Sequence, residues 1–442
     1  MIKNSHLQLC DDVATAIAHI ACYKGELPQG SPCSPIISNL LGRILDIRLV
    51  RLAKKYQCTY SRYADDITFS TNKKIFPPEI AYPHAHTEHT WVVGGALQNT
   101  IIRTGYNINH QKTRMQYNGS RQVVTGLVVN KKVNVTRTYY RLAKAMSHSL
   151  FMNGSFTLPG NNVQDDNISR LRGVFSHIYN VKLYDSTITR VKENGNKRSE
   201  FIKIYFNLLA YTYFHALDRP LIICEGKTDN IYLRCALRRL YPDSMDAFRL
   251  FNYTKVNRNV LMLPGGSRPL SHLIHNYKTY IKPFKCSGRK YPVIILIDND
   301  NGARGNGNPF AAIKTVRQTP NSVDGDEPFY FVRDNLYVLP TPKKNGEHTK
   351  IEDCFDKKTL DILIGGKKFN PENAKPIDDK EYGKIVFAEQ VVKRMQASID
   401  FSGFIPIFDL IFTIISDYQN RSQPSPPLGT SVPAVSSPSP LS

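Results

Sequence analysis

Apolar positions along this chain fall into two textures. Up to about residue 218 they recur mostly at helical spacing. Val13, Ala16, Ile17 and Ile20 form a stripe that predicts a helix over Asp12–Tyr23, with Asp11 or Asp12 as its N-cap. Ile36–Lys55, Leu97–Arg103, Tyr139–Phe151, Ile168–Val181 and the aromatic-rich Phe201–Ala216 read as further helices. Between the second and third, Thr59–Arg62 and Ile67–Ser70 are short β-type runs flanking Tyr63-Ala64-Asp65-Asp66, which predicts a hairpin with two carboxylates at its tip. Val123–Val129 reads as a strand interrupted by Thr125-Gly126. Leu27–Pro35 is a Gly/Pro/Ser loop, and Pro77–Thr90 a polar one.

At Arg219-Pro220 the texture changes. Leu221–Cys224 is a short apolar strand, and Thr228–Leu240 is a helix with Asp229 in its first turn. Val260–Leu263, Gly265-Gly266, a helical stretch from Ser271 and the strand Val293–Ile297 follow. Strands alternating with helices predict an α/β domain with a mainly parallel sheet. The stretch from Asn420 is Pro/Ser-rich and expected to be disordered. No internal repeat is visible.

Composition sharpens this. The 442 residues are 41% hydrophobic, enough for two or three globular domains. The net charge of +21 points to a polyanionic partner, nucleic acid first. Residues 1–219 carry 28 Lys and Arg against 14 Asp and Glu, and the remainder 30 against 23, so the first half is the better polynucleotide holder. Eight scattered cysteines without a Cys-x-x-Cys pair argue against structural zinc and fit a reducing cytoplasm. His84, His86 and His89 lack a Cys or acidic partner at ligand spacing and read as a solvated loop. No signal segment or membrane-spanning run is seen, so a cytoplasmic protein is expected, with no membrane partner.

Two constellations carry chemistry. Nucleotidyl transfer needs two divalent ions held by converging carboxylates, and Asp65 and Asp66 supply two. Upstream, Leu27-Pro28-Gln29-Gly30-Ser31-Pro32 offers an amide at Gln29 and a close backbone approach at Gly30 for a nucleotide or template base. In the second half, Glu225 ends one buried strand, and Asp298-Asn299-Asp300 ends another. Strand alternation would bring both aspartates to one side of the sheet's carboxyl rim, where open α/β sheets bind ligands and where three acids suit Mg²⁺. Each string alone is also what a solvated turn, or a strand ending in an Asx turn, would show. A calcium loop at Asp298–Gly302 fails, because glycine stands at the fifth position rather than the sixth.

The Leu-Pro-Gln-Gly loop and Tyr-Ala-Asp-Asp together resemble motifs of bacterial reverse transcriptases. Val124-Thr125-Gly126, followed by Leu127-Val128-Val129, resembles a signature of the retron branch, and Leu171-Arg172-Gly173 in its helix resembles that family's thumb. The second constellation, with Gly265-Gly266 between its acidic strands, resembles a Toprim domain, and Glu352-Asp353 a further acid of its nuclease branch. These resemblances imply a partial α+β polymerase palm (1–135), a helical thumb (136–218), an α/β Toprim-like domain with extension (219–419) and a tail (420–442). They imply Asp65, Asp66 and Glu225 as catalytic groups, with Asp65, Asp66, Asp298 and Asp300 holding Mg²⁺. Gln29, Gly30 and Tyr63 would meet nucleotide or template, and Val124, Thr125 and Gly126 would meet RNA. The implied partners are dNTPs, a structured non-coding RNA serving as template and primer, and the RNA–DNA hybrid made from it in a bacterial anti-phage system; an oligomer is possible. The family's first catalytic aspartate, in a Phe-Asp-x-x-x-Phe-Phe segment, has no counterpart before the Gln-Gly loop. The chain is therefore expected to be truncated at its N-terminus and inactive in DNA synthesis alone.

Overall fold

The computed structural model describes residues 10–85, 90–160, 164–189, 199–305, 307–318, 323–372 and 379–422. The chain divides into two compact units, residues 1–131 and 132–442.

The first unit opens with α1 (Asp11–Ala21) and α2 (Ser34–Lys55). The N-cap of α1 is Cys10, with Asp11 and Asp12 in the first turn facing the helix dipole rather than capping it. Its inward residues are Ala14 and Ala21; the expected stripe is largely outward, with Val13 and Ile20 exposed. Small residues sit on the packed side, and hydrophobicity alone misplaced that face. Strands β1 (Thr59–Tyr63) and β2 (Asp66–Ser70) form an antiparallel hairpin in which Thr59 pairs with Ser70 and Tyr63 with Asp66. Its alternation turns Tyr60, Arg62, Ile67 and Phe69 inward. There they meet the α2 stripe of Leu45 and Leu49 in a core completed by Ile80, Val93, Leu97 and Ile101.

The segment expected to be a plain loop contributes β3 (Ala81–Pro83), paired with β4 (Trp91–Val93); His86 and His89 lie outside the described residues. Gly94 follows, and a Cβ there would stand 2.3 Å from the Glu79 carbonyl, so that position admits only hydrogen. Helix α3 (Gly95–Ile102) then packs on α2. The interrupted strand is two strands, β5 (Val123–Val124) and β6 (Leu127–Val128). They are joined by Thr125 at φ 47° and Gly126 at φ 84°, the doubly left-handed turn that matches strand twist.

The second unit begins with helices α4 (Arg137–Asn153), α5 (Ile168–Thr189) and α6 (Glu200–Ala210). Helix α5 continues eight residues past the Val181 end expected for it. Phe175 of α5 meets Phe201 and Tyr205 of α6, and Tyr140 of α4 meets Phe201, so ring contacts join the three helices. The helical path continues as a π-turn over Tyr211–His215 into the sheet.

That sheet contains β7 (Leu221–Cys224), β8 (Arg249–Leu250), β9 (Val293–Ile297), β10 (Tyr330–Arg333) and β11 (Leu336–Pro340), in the order β8-β7-β9-β11-β10. All neighbours are parallel except the edge pair β10–β11. Every residue of β7, β9 and β11 is buried, so each large aliphatic contributes about 1.5–3 kcal/mol of burial. Val260–Leu263 is irregular chain after the short helix α8 (Lys255–Asn259), and the outer neighbour of β7 is the two-residue β8. Helix α7 (Lys227–Leu240) follows β7, α9 (Ser267–Ile281) starts four residues earlier than expected, and α10 (Pro309–Arg317) packs on α9. The last described helix, α11 (Ile405–Ser422), carries the chain past Asn420 in helical form; the rest of the Pro/Ser stretch lies outside the described residues.

Candidate nucleic-acid and metal sites

The first site is built on the β1–β2 hairpin. The two-residue tip is Ala64-Asp65, and Ala64 sits at φ 51°, a left-handed conformation that costs an alanine about 1–2 kcal/mol. Asp66 stands on the outward face beside Tyr63, which is 71% exposed. Both carboxylates thus project from an open surface.

A clamp holds this tip. Arg62 turns inward; its Nε and one terminal nitrogen donate to the two oxygens of Asp46 on α2, both at 2.7 Å. Its other terminal nitrogen donates to the Ala64 carbonyl at 2.7 Å, and the Tyr60 hydroxyl donates to Asp46 at 2.6 Å. The Arg62 hydrogen bond holds the Asp46 carboxyl below its usual range. Gly42, one turn before Asp46, makes room: a Cβ there would lie 2.7 Å from the guanidinium. Asp46, Gly42 and Arg62 were not found in sequence, since their partners lie 16 to 20 residues away and no spacing rule links a helix face to a hairpin.

Gln29 and Gly30 are exposed on the turn before α2, with Gly30 at φ 89° and the Ser34 hydroxyl closing the turn onto the Pro28 carbonyl at 2.8 Å. Val124, Thr125 and Gly126 form the exposed tip of the β5–β6 hairpin. The Gln116 side chain binds the Val123 backbone on both its N–H and C=O, which ties that hairpin to the preceding loop.

The second site lies at the carboxyl rim of the large sheet. From β7 the chain runs to β8 on one side and returns with β9 on the other, so the β7/β9 boundary is a switch point, where such sheets open a crevice. Glu225 directly follows β7, and Asp298 directly follows β9. Glu225 accepts from the Ser267 hydroxyl at 2.6 Å and from the Asp298 N–H at 3.4 Å. The Asp298 carboxylate accepts from the Ile351 N–H at 2.9 Å. Strand β9 ends at Ile297, so alternation does not direct Asp300. Its carboxylate instead caps its own 3₁₀ turn through Gly302 N–H at 2.7 Å, while Arg304 braces the loop through the Asn299 and Asp300 carbonyls.

Further acids join this rim. Asp229, 7% exposed, accepts from Gly226 N–H at 2.6 Å. Glu352, 2% exposed, meets Lys384 with Nζ 3.0 Å from each oxygen. Burial, then the charges of Asp229, Glu352 and Glu225, pushes the Asp298 carboxyl up to about 8. Burial and Glu352 push Asp229 up to about 7, and burial raises Glu352. Lys384 loses by burial but gains more from Glu352, so its pKa rises. Asp229 had appeared in sequence only as a first-turn acid, and Lys384 and Ser267 carried no signal.

The donors at both sites are carboxylate oxygens, which suit a hard divalent cation. Neighbouring carboxylates raise the proton affinity of Asp298 and Asp229, which a cation would relieve. Among the described residues, no three His, Cys, Asp or Glu side chains are gathered at ligand spacing: the exposed pair at 65 and 66 has no third acid beside it, and Glu225, Asp298 and Asp300 do not form the three-acid set expected at the rim. No described helix is long and apolar enough to cross a membrane.

An acid-tipped hairpin behind a Gln-Gly turn is polymerase-like, and comparison with known proteins points to one class, the retron reverse transcriptases. The chain is 34% identical over 169 residues, 37% of its length, to the reverse transcriptase of retron Mx162 from Myxococcus xanthus, covering 33% of that protein. It is 31% identical over 172 residues to that of retron Ec86 from Escherichia coli, covering 38% of this chain and 46% of the relative. A third, of retron Ec83 from Escherichia coli, is 28% identical over 185 residues, or 40% of this chain and 52% of the relative. The chain thus spans about a third to a half of the length of these relatives. The likeness implies a polymerase palm and thumb fold for the matched part. No protein-family model and no solved structure matches the chain.

Proposed function

We propose that this chain is a retron-type RNA-directed DNA polymerase that carries a Toprim effector domain. In this reading it acts with Mg²⁺ and dNTPs on a structured non-coding RNA, yields a branched RNA–DNA hybrid, and serves anti-phage defence in the bacterial cytoplasm. The observation that carries the reading is the clamped hairpin presenting Asp65 and Asp66 on an open face, in a chain similar to retron reverse transcriptases. Tyr63 beside Asp66 offers a surface for the nucleotide sugar or base, and Gln29 and Gly30 a second one. The Thr125-Gly126 tip is an exposed backbone feature for RNA.

Divalent ions would activate the primer hydroxyl and steady the departing pyrophosphate. Two carboxylates are too few to hold both, so the chain alone makes no appreciable DNA. The test is binding and extension together. The full chain should retain an RNA–DNA hybrid in preference to a DNA duplex of equal length; failure to discriminate sinks the polymerase reading. Robust Mg²⁺-dependent primer extension, lost in Asp65→Asn, would uphold the class and overturn the inactivity.

A second reading is favoured by the rim: a hybrid-binding polymerase remnant whose Toprim domain cuts nucleic acid with Mg²⁺. Its support is the crowd of Glu225, Asp229, Asp298 and Glu352 at a switch point, held there by Ser267, Ile351 N–H and Lys384. Glu225, near the surface, would move a proton, while Asp298 and Asp300 would hold the ion.

A further inference from the structure

Two helical segments start at the acidic rim and run away from it side by side. Helix α7 begins at Lys227, two residues after Glu225. The other begins at Lys384, the partner of Glu352, and is π-wound over Phe387–Val392. They share a core in which Tyr232 meets Phe387 with ring centroids 5.9 Å apart. At the far end Arg238 donates to the Gln396 side chain at 2.9 Å.

The outward faces of this pair are cationic. Lys227, Arg234 and Arg238 stand exposed at i, i+7 and i+11, one face of α7. Lys393 and Arg394 stand exposed at the end of the neighbour. Arg238, Arg234 and Lys393, with the Glu389 carboxylate, all bear on the buried Cys235 thiol, which places them around one point. Lys393 is paired with Glu389 at 2.7 Å; among the described residues the other four have no carboxylate partner. Unpaired cations in a row repel one another and favour a polyanion. From Lys227 to Arg238 the row is about 16 Å long, the rise of about five base pairs.

We propose that this row is a track for a polynucleotide backbone, which lays a strand along α7 and leads it to the carboxylates at the sheet rim. The inference rests on the reading that the rim acts on nucleic acid and adds where the strand lies. A repeating phosphate ladder fits a linear row of cations along a helix; an acidic protein would need matching hydrogen-bond geometry, and a lipid surface would need an apolar edge.

The experiment uses the full chain in EDTA, with fluorescein-labelled 20-nucleotide single strand and 20-base-pair duplex, by anisotropy across a salt series. Arg234→Glu with Arg238→Glu should weaken binding about tenfold or more and reduce the log–log salt slope by about 2. Lys278→Glu with Lys314→Glu, exposed cations on α9 and α10 with the same change of net charge, should do far less. Equal losses in the two pairs, or none in the first, overturn the track. So does loss of binding to phosphatidylserine vesicles with DNA binding intact, which would mark a membrane face. Should the first pair fail to fold, the unaltered protein decides: bound DNA should slow acetylation of Lys227 and Lys393 but not of Lys278 and Lys314, and uniform labelling sinks the proposal. Loss of cleavage activity with the track intact would sink only the nuclease reading.

Discussion

The two acidic sites solve opposite problems. At the hairpin, Asp65 and Asp66 stand in the open, and what is half-buried is their support, the pair of Arg62 on β1 with Asp46 on α2. At the sheet rim Asp229 and Glu352 are buried and Glu225 and Asp298 half-buried, and the support is backbone N–H groups with one lysine. An exposed pair needs only to be aimed, and waits for charge from elsewhere. A buried crowd already pays in proton affinity for standing together, and any cation that enters is favoured by that repulsion.

That contrast breaks most sharply by activity. Asp298→Asn should lower Mg²⁺-dependent cleavage of nucleic acid by about 100-fold or more, as loss of about 3 kcal/mol in the transition state requires, while Asp65→Asn leaves cleavage unchanged. A gel assay with both variants that shows the reverse would swap the roles assigned to the two sites. Next in size is the clamp. Asp46→Ala strands the Arg62 guanidinium and should cost the first unit about 2 kcal/mol, read as an earlier urea transition of Trp91 fluorescence. A midpoint unmoved by the change would show the hairpin to be held by its apolar face alone.

The rim makes a prediction in pH. The folded-state value for Asp298, about 8, is above that of an unfolded aspartate. Between the two the folded chain holds a proton that the unfolded chain has released, so stability is greatest at low pH and falls as pH rises towards 8. Asp229, at about 7, adds to the same slope. Metal-free Asp298→Asn should therefore gain melting temperature over the parent at pH 8 and little at pH 5, by calorimetry in EDTA. An equal gain at both would mean that the rim carboxylates are not coupled in this way. The smallest effect belongs to the β5–β6 turn, where Gly126→Ala forces a side chain into φ 84° and should cost about 1 kcal/mol. Hybrid binding that falls further than stability would add weight to a direct role of that turn.

Much of this arrangement was legible in sequence where chemistry and local spacing coincide. Tyr63-Ala64-Asp65-Asp66 announces its hairpin because β-type runs flank it, and Leu221–Cys224 and Val293–Ile297 announce a buried sheet because every residue is apolar. What sequence hid is what depends on distance along the chain. Lys384 meets Glu352 from 32 residues away, and Arg62 meets Asp46 across a helix and a strand. Strand β8 is two residues long, too short for any periodicity to mark it. Helix α1 shows the limit of hydrophobicity as a guide to facing: two alanines lie on its packed side, while the bulkier Val13 and Ile20 face outward.

Gly94 has a last consequence. The Glu79 and Pro78 backbone lies where its side chain would begin. In a saturation screen scored by survival of hybrid binding, every replacement at Gly94 should drop out. Intolerance there would record a shortage of room rather than a part in chemistry, so a map of forbidden substitutions for this chain has to be divided by stability measurements before it is used to point at a reacting group.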